Sequence, residues 1–270
     1  MRGKIDPSPG LRPPSPRDAG RGDSVTAQNA LDRALEEENL VLVYQPIHDA
    51  RSGAIVAAEA LMRQRRENGE LREAHIISEA AEEGPKRDLF AFNQWMMRTA
   101  IADAAGWPIA LNVNLSPREV VEKDVVARYA KFKGRRLNLE ITETLTIEKP
   151  ERAVSVLESL RELGFGLWLD DFGSGHSTME QLLHFPVDGI KIAATFVEGI
   201  PHDRRSVAIT RSMIDLAHDM NIEVLAEGIE REEQLGFLIE HGCELVQGFL
   251  FSRPMLREAF EGLLRSSRAT

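Results

Sequence analysis

Eight short apolar segments of strand length recur along the chain, and after the first pair they are separated by stretches long enough for a helix. They are Leu40–Ile47, Ala54–Met62, Ile109–Ser116, Leu137–Thr142, Leu167–Phe172, Gly189–Ala193, Glu223–Ile229 and Leu245–Phe251. Strands alternating with helices are βα units. The first two segments break that rule, because only the turn-like Asp49-Ala50-Arg51-Ser52-Gly53 joins them, so they are predicted to run antiparallel. Eight strands with interleaved helices and no internal linker predict an α/β fold: one closed, TIM-like (β/α)8 barrel with the first strand antiparallel.

The helices carry their own punctuation. Ser116-Pro117-Arg118-Glu119 reads as a capping box with Pro at the first helical position, opening a helix to about Phe132. Pro150 opens another, with Ala153, Leu157 and Leu160 on one face and Gly164 as its stop. Ile209, Met213, Leu216, Ala217 and Met220 mark a third buried stripe, and a short helix is expected over Thr26 to Glu38. Residues 1–24 are rich in Pro, Gly and Arg and have little to bury, so they read as a disordered tail ahead of a barrel domain at 25–270.

The remaining composition narrows the setting. Cys243 is the only cysteine and pairs with nothing in its own chain, which suits a reducing compartment. No apolar run is long enough to span a bilayer and no secretory leader is visible, so a soluble, cytoplasmic protein is expected. The net charge of -10 argues against binding a nucleic acid polymer or an anionic membrane.

Chemistry shows in a recurring oddity: the apolar strands carry charged or amide side chains towards their ends. Glu59 is on the second, Asn114 on the third, Glu140 on the fourth, Asp170 and Asp171 on the fifth, Lys191 on the sixth, Glu227 on the seventh and Gln247 on the eighth. Alternation turns the apolar neighbours towards the helices and Asn114, Glu140 and Asp170 towards the barrel axis. One acid at a strand end more often caps a helix or meets a surface cation. Five at one barrel mouth would repel each other unless cations sat among them. Oxygen donors without His or Cys point to Mg²⁺ or Mn²⁺ rather than zinc.

Several look-alikes are set aside. Asp171-Phe172-Gly173 has no accompanying kinase loops, and Gly173-Ser174-Gly175 lacks the Lys of a phosphate-binding loop. His48, His75, His202 and His218 show no ligand-like spacing and read as surface or cap residues.

From about Val41 to Leu264 the chain resembles the EAL-domain family, bacterial phosphodiesterases of cyclic di-GMP. The resemblance rests on Tyr44-Gln45-Pro46-Ile47, Glu59-Ala60-Leu61 with Arg63, Asn114-Leu115-Ser116, Leu139-Glu140-Ile141-Thr142-Glu143, Asp170-Asp171-Phe172-Gly173, Lys191-Ile192, Ala226-Glu227-Gly228-Ile229-Glu230 and Gln247-Gly248-Phe249, in the family's order. It implies that Glu59, Asn114, Glu140 and Asp170 hold one metal and that Asp170 and Asp171 share a second. Two ions some ~3.5–4 Å apart would activate water and clamp the phosphoryl oxygens. Glu227 would orient or deprotonate that water, and Lys191 would offset charge at the phosphate. Gln45, Arg63, Glu230 and Gln247 resemble substrate contacts, and Glu143 resembles the anchor of the Gly173–Ser177 loop. The product would be linear pGpG, and a homodimer or a regulatory protein partner fits the resemblance.

Three departures stand out. Active members usually read Lys-Ile-Asp where this chain has Lys191-Ile192-Ala193, His176 replaces a common Tyr, and Gln64 replaces the Trp usual after the Arg. Ala193 shares the parity of Lys191, so the missing Asp would have pointed towards the metals, and a slow enzyme is expected. The alternatives are a non-catalytic cyclic di-GMP receptor acting through the same pocket, and an unrelated metal barrel acting on a small carboxylate.

Overall fold

Strands covered on both faces carry apolar residues at nearly every position, as these segments do. In the computed structural model, which describes residues 39–142, 150–173 and 179–267, they join into a closed ring. The strands are β1 (Leu40–Asp49), β2 (Ile55–Arg65), β3 (Leu71–Glu73), β4 (Ala110–Leu115), β5 (Leu137–Thr142), β6 (Gly166–Phe172), β7 (Gly189–Ile192), β8 (Glu223–Ala226) and β9 (Leu245–Val246). β1 pairs antiparallel with both β2 and β9 and so closes the barrel. From β2 through β4 to β9, successive barrel strands run parallel. The expected tail, the Thr26–Glu38 helix, Glu143 and most of the 173–177 loop lie outside the described residues.

The helices are α1 (His75–Glu83), α2 (Lys86–Asp103), α3 (Pro117–Val120), α4 (Val125–Ala130), α5 (Pro150–Glu162), α6 (Met179–His184), α7 (Ala194–Val197), α8 (Arg204–Asp219), α9 (Glu232–Glu240) and α10 (Arg257–Ser267). None of the described helices is long and apolar enough to cross a membrane.

The two faces of each strand separate cleanly. Val113, Leu115, Leu139, Ile141, Leu167 and Leu169 face outward into the main core, together with Ala153, Leu157 and Leu160 of α5. A second cluster of Ile47, Ala57, Trp168 and Leu225 fills the barrel interior. Gly189 gives the Trp168 indole its room, since a Cβ there would lie 2.5 Å from the ring. Above this apolar floor the inward positions turn polar, with Glu59, Asn112, Glu140 and Lys191 all buried. The barrel thus has a greasy floor and an ionic mouth at the C-terminal ends of its parallel strands, where sites of this fold are built.

Some expectations are corrected. β2 continues past Met62 to Arg65 because β1 and the unforeseen β3 flank its extension as a ribbon. The last two strands stop at Ala226 and Val246, so Glu227 and Gln247 sit one residue beyond them. The helix opened by Ser116 ends at Val120 and restarts at Val125. That break turns α4 so that Tyr129 Oη donates to the buried Glu119 at 3.1 Å. His48 is not a surface residue: it is buried, with its ring stacked on Phe251 at 4.2 Å and Nδ1 2.9 Å from Gly53 O. β1 is paired along both edges, so this position is sealed and burial lowers the imidazole pKa.

Candidate active site

Lys191 projects from β7 into the mouth with 1% of its side chain exposed. Its Nζ lies 2.8 Å from Glu227 Oε1, 2.9 Å from Asp170 Oδ1, 3.0 Å from Glu140 Oε2 and 3.4 Å from Glu59 Oε1. Acids from β2, β5 and β6 and from the residue just past β8 therefore converge on one ammonium. Burial works against the charged lysine, but the surrounding carboxylates outweigh it and hold Lys191 well above its ordinary range. Burial raises Glu140 well above the usual carboxylate range despite the pull of Lys191. Glu227 is pushed up to about 8, first by burial and then by Asp170 and Glu59, with Lys191 opposing.

Strict alternation would turn Asp171 away from Asp170. The β6–β7 register slips between Leu169 and Phe172, and Asp171 takes a left-handed φ of 53°. As a result Asp170, Asp171 and Glu227 each offer a carboxylate oxygen within 4.8 Å of the others.

The donor chemistry fits a divalent cation. One ammonium leaves four facing carboxylates under-compensated, and hard oxygen donors are what Mg²⁺ or Mn²⁺ select. Glu140 Oε2 is buried and meets only the Lys191 ammonium at 3.0 Å, with no other hydrogen bond, so it faces the side from which a cation would bind.

Amides hold the two deepest acids. Gln247 Nε2 donates to Glu59 Oε2 at 2.8 Å, and Asn112 Nδ2 donates to Glu140 Oε1 at 2.8 Å. Asn138 Nδ2 in turn donates to Asn112 Oδ1 at 2.9 Å. Asn112 and Asn138 were missed in the sequence, although the first lies two residues before Asn114 with the same inward parity. Asn114 is half-buried and stands level with Glu140 in the β4–β5 register.

Around this centre opens a cleft of about 590 Å³, within the range of small-molecule sites, lined among others by Gln45, Arg63, Glu230, Gln247 and Phe249. Gln45 Nε2 donates to Ser252 O at 3.2 Å. Arg63 donates to Met62 O at 2.8 Å and lies 3.7 Å from Glu73, a rim acid the sequence did not single out. Ala193 is buried immediately before α7, and Ala194 rather than Ala193 lines the cleft.

Comparisons with known proteins bear on this geometry. A family model described as the EAL domain matches residues 28–254. The cyclic di-GMP phosphodiesterase PdeR of Escherichia coli (strain K12) is 34% identical over 86% of this chain and 36% of its own length. The cyclic di-GMP phosphodiesterase NbdA of Pseudomonas aeruginosa is 35% identical over 89% of this chain and 32% of its own. The chain thus spans about a third of the length of these curated relatives. Among solved structures, that of the PaMucR phosphodiesterase in complex with c-di-GMP superposes with a TM-score of 0.78 at 30% identity, covering 87% of this chain and 99% of that one.

Proposed function

The chain belongs to the EAL domain family, and from that membership we propose that it is a metal-dependent phosphodiesterase that hydrolyses cyclic di-GMP to linear pGpG. The observation that carries this reading is the set of four carboxylates converging on Lys191 at the barrel mouth. Relatives named for the same activity support it.

In this reading Glu59, Asn114, Glu140 and Asp170 hold one divalent ion, and Asp170 and Asp171 share a second, Mg²⁺ or Mn²⁺. Bound there, such ions supply electrostatic stabilisation at the phosphoryl oxygens and lower the pKa of water. Glu227, beside Lys191 and within reach of Asp170 and Asp171, is placed to take a proton from the attacking water. Attack forms a new P–O bond as the opposite ester P–O bond breaks. Lys191 offsets charge on the phosphate. Arg63, Gln45, Glu230 and Gln247 orient the nucleotide in the cleft.

A second reading, a receptor that binds cyclic di-GMP without cleaving it, draws on Ala193 where an Asp is usual. One assay separates the two. Purified protein is incubated with cyclic di-GMP and Mg²⁺ or Mn²⁺, and pGpG is followed by chromatography. Metal-dependent pGpG that disappears with chelator supports the enzyme; tight binding without product at any metal concentration supports the receptor.

A further inference from the structure

We propose that Asn112 and Asn138 form a two-amide relay that positions Glu140 as a single-oxygen ligand for the divalent cation, an inference that rests on the metal-dependent reading above. Glu140 is fully buried on β5. Asn112 Nδ2 occupies its Oε1 at 2.8 Å, while Oε2 faces the centre, ion-paired with Lys191 Nζ at 3.0 Å and with no other hydrogen bond. The carboxylate is thereby divided into an oxygen held by the barrel wall and an oxygen kept for a cation.

Asn112 is oriented from both sides: the acceptor-only carboxylate of Glu140 takes its donor end, and Asn138 holds its other end. Asn138 Nδ2 donates to Asn112 Oδ1 at 2.9 Å, so the acceptor end of Asn112 is occupied and its donor end is left for Glu140. A flipped Asn112 would set its oxygen against Glu140 Oε1, acceptor against acceptor, and its nitrogen against the donor of Asn138.

The register shows that space is made for this relay. Glu59, Asn112, Asn138 and Gly166 stand level on β2, β4, β5 and β6. A Cβ at Gly166 would collide with Asn138 Oδ1 and lie 3.1 Å from its Cγ. Glycine weakens a strand interior and packs nothing, so its position opposite Asn138 has a spatial reason.

Hydrogen bonds that orient a metal ligand are typically worth ~10–100-fold in metal affinity. Mg²⁺ and Mn²⁺ binding is therefore measured by calorimetry without nucleotide, alongside melting temperature. Asn112→Leu should raise the metal dissociation constant ~10-fold or more. Asn138→Ala should raise it by less, because Asn112 stays but is then held from one side only. Gly166→Ala should act in the same direction with both amides present. In a Glu140→Gln background, Asn112→Leu should add nothing. If Asn112→Leu does not fold, Asn138→Ala and Gly166→Ala carry the test. Folded variants whose metal dissociation constants stay within ~2-fold of the unaltered protein overturn the relay, as does an equal effect of Asn112→Leu with and without Glu140. An unaltered protein that binds neither ion overturns the functional reading itself, a different and separable result.

Discussion

Glu59 is held at both oxygens, by Lys191 at 3.4 Å and by Gln247 at 2.8 Å. Ala at this position keeps the strand but removes a ligand, so Glu59→Ala should cut pGpG production more than ~100-fold, beyond the loss typical of outer residues. Its circular-dichroism melt should stay cooperative; full turnover by the folded variant would refute the metal assignment. Ala193 poses a sharper question. It stands at the N-cap of α7 with no side-chain cap, so Ala193→Asp should gain a helix cap worth ~0.5–2 kcal/mol whatever it does for metal. If the missing Asp also supports the second ion, the variant should need less metal for half-maximal activity and turn over faster. A higher melting point with an unchanged metal titration would mean that the cap is all the residue supplies. At this scale the sequence identified the acids but not the amide that touches Glu140. Asn112 and Asn114 share parity, and only the reach of a side chain across to β5 distinguishes them.

Among the elements, β6 carries the most. Its slip against β7 brings Asp171 beside Asp170, and its Trp168 fills the barrel floor beneath the ionic mouth. Gly189→Ala would drive a methyl into that indole and should cost ~1–3 kcal/mol, read from the midpoint of urea unfolding at unchanged slope. An unchanged midpoint would mean the ring has space to retreat. The antiparallel first strand and the inward faces of Asn114, Glu140 and Asp170 were legible because apolar alternation survives in β4, β5 and β6, whereas the place of Asp171 was not. β3 was not: three residues, Leu71–Glu73, carry too little pattern, and they are strand only because the ribbon beyond Glu59 offers them an edge. The break between α3 and α4 was equally hidden, being set by the closure of Tyr129 and Arg128 on Glu119.

For the whole molecule, the acid excess behind the net charge of -10 is partly concentrated at one end of the barrel, where it carries a pH signature. Glu227 titrates at about 8 in the fold against 4.5 as a free group. Between those values the folded chain holds more protons than the unfolded one, so stability present below about 4.5 is lost as pH rises towards about 8. Lys191, raised above its ordinary range, does not titrate in that window. The chelated protein should therefore melt lower at about pH 8 than at about pH 5, and either Mg²⁺ or Glu227→Gln should reduce the difference, with Glu140, which burial also raises, contributing the rest. A slope that Glu227→Gln leaves untouched would remove Glu227 as its source. Deleting residues 1–24 should leave both the melt and any turnover unchanged, since that segment has little to bury. The sequence by itself determined the closed barrel, its reversed first strand and the identity of the acids, because backbone periodicity dictates which face a residue takes. Only the tertiary structure decided which oxygen of Glu140 an amide holds and which faces the centre, and that both oxygens of Glu59 are engaged. That depends on amides and an ammonium arriving from strands far apart in the chain, at distances no pattern along a single strand encodes.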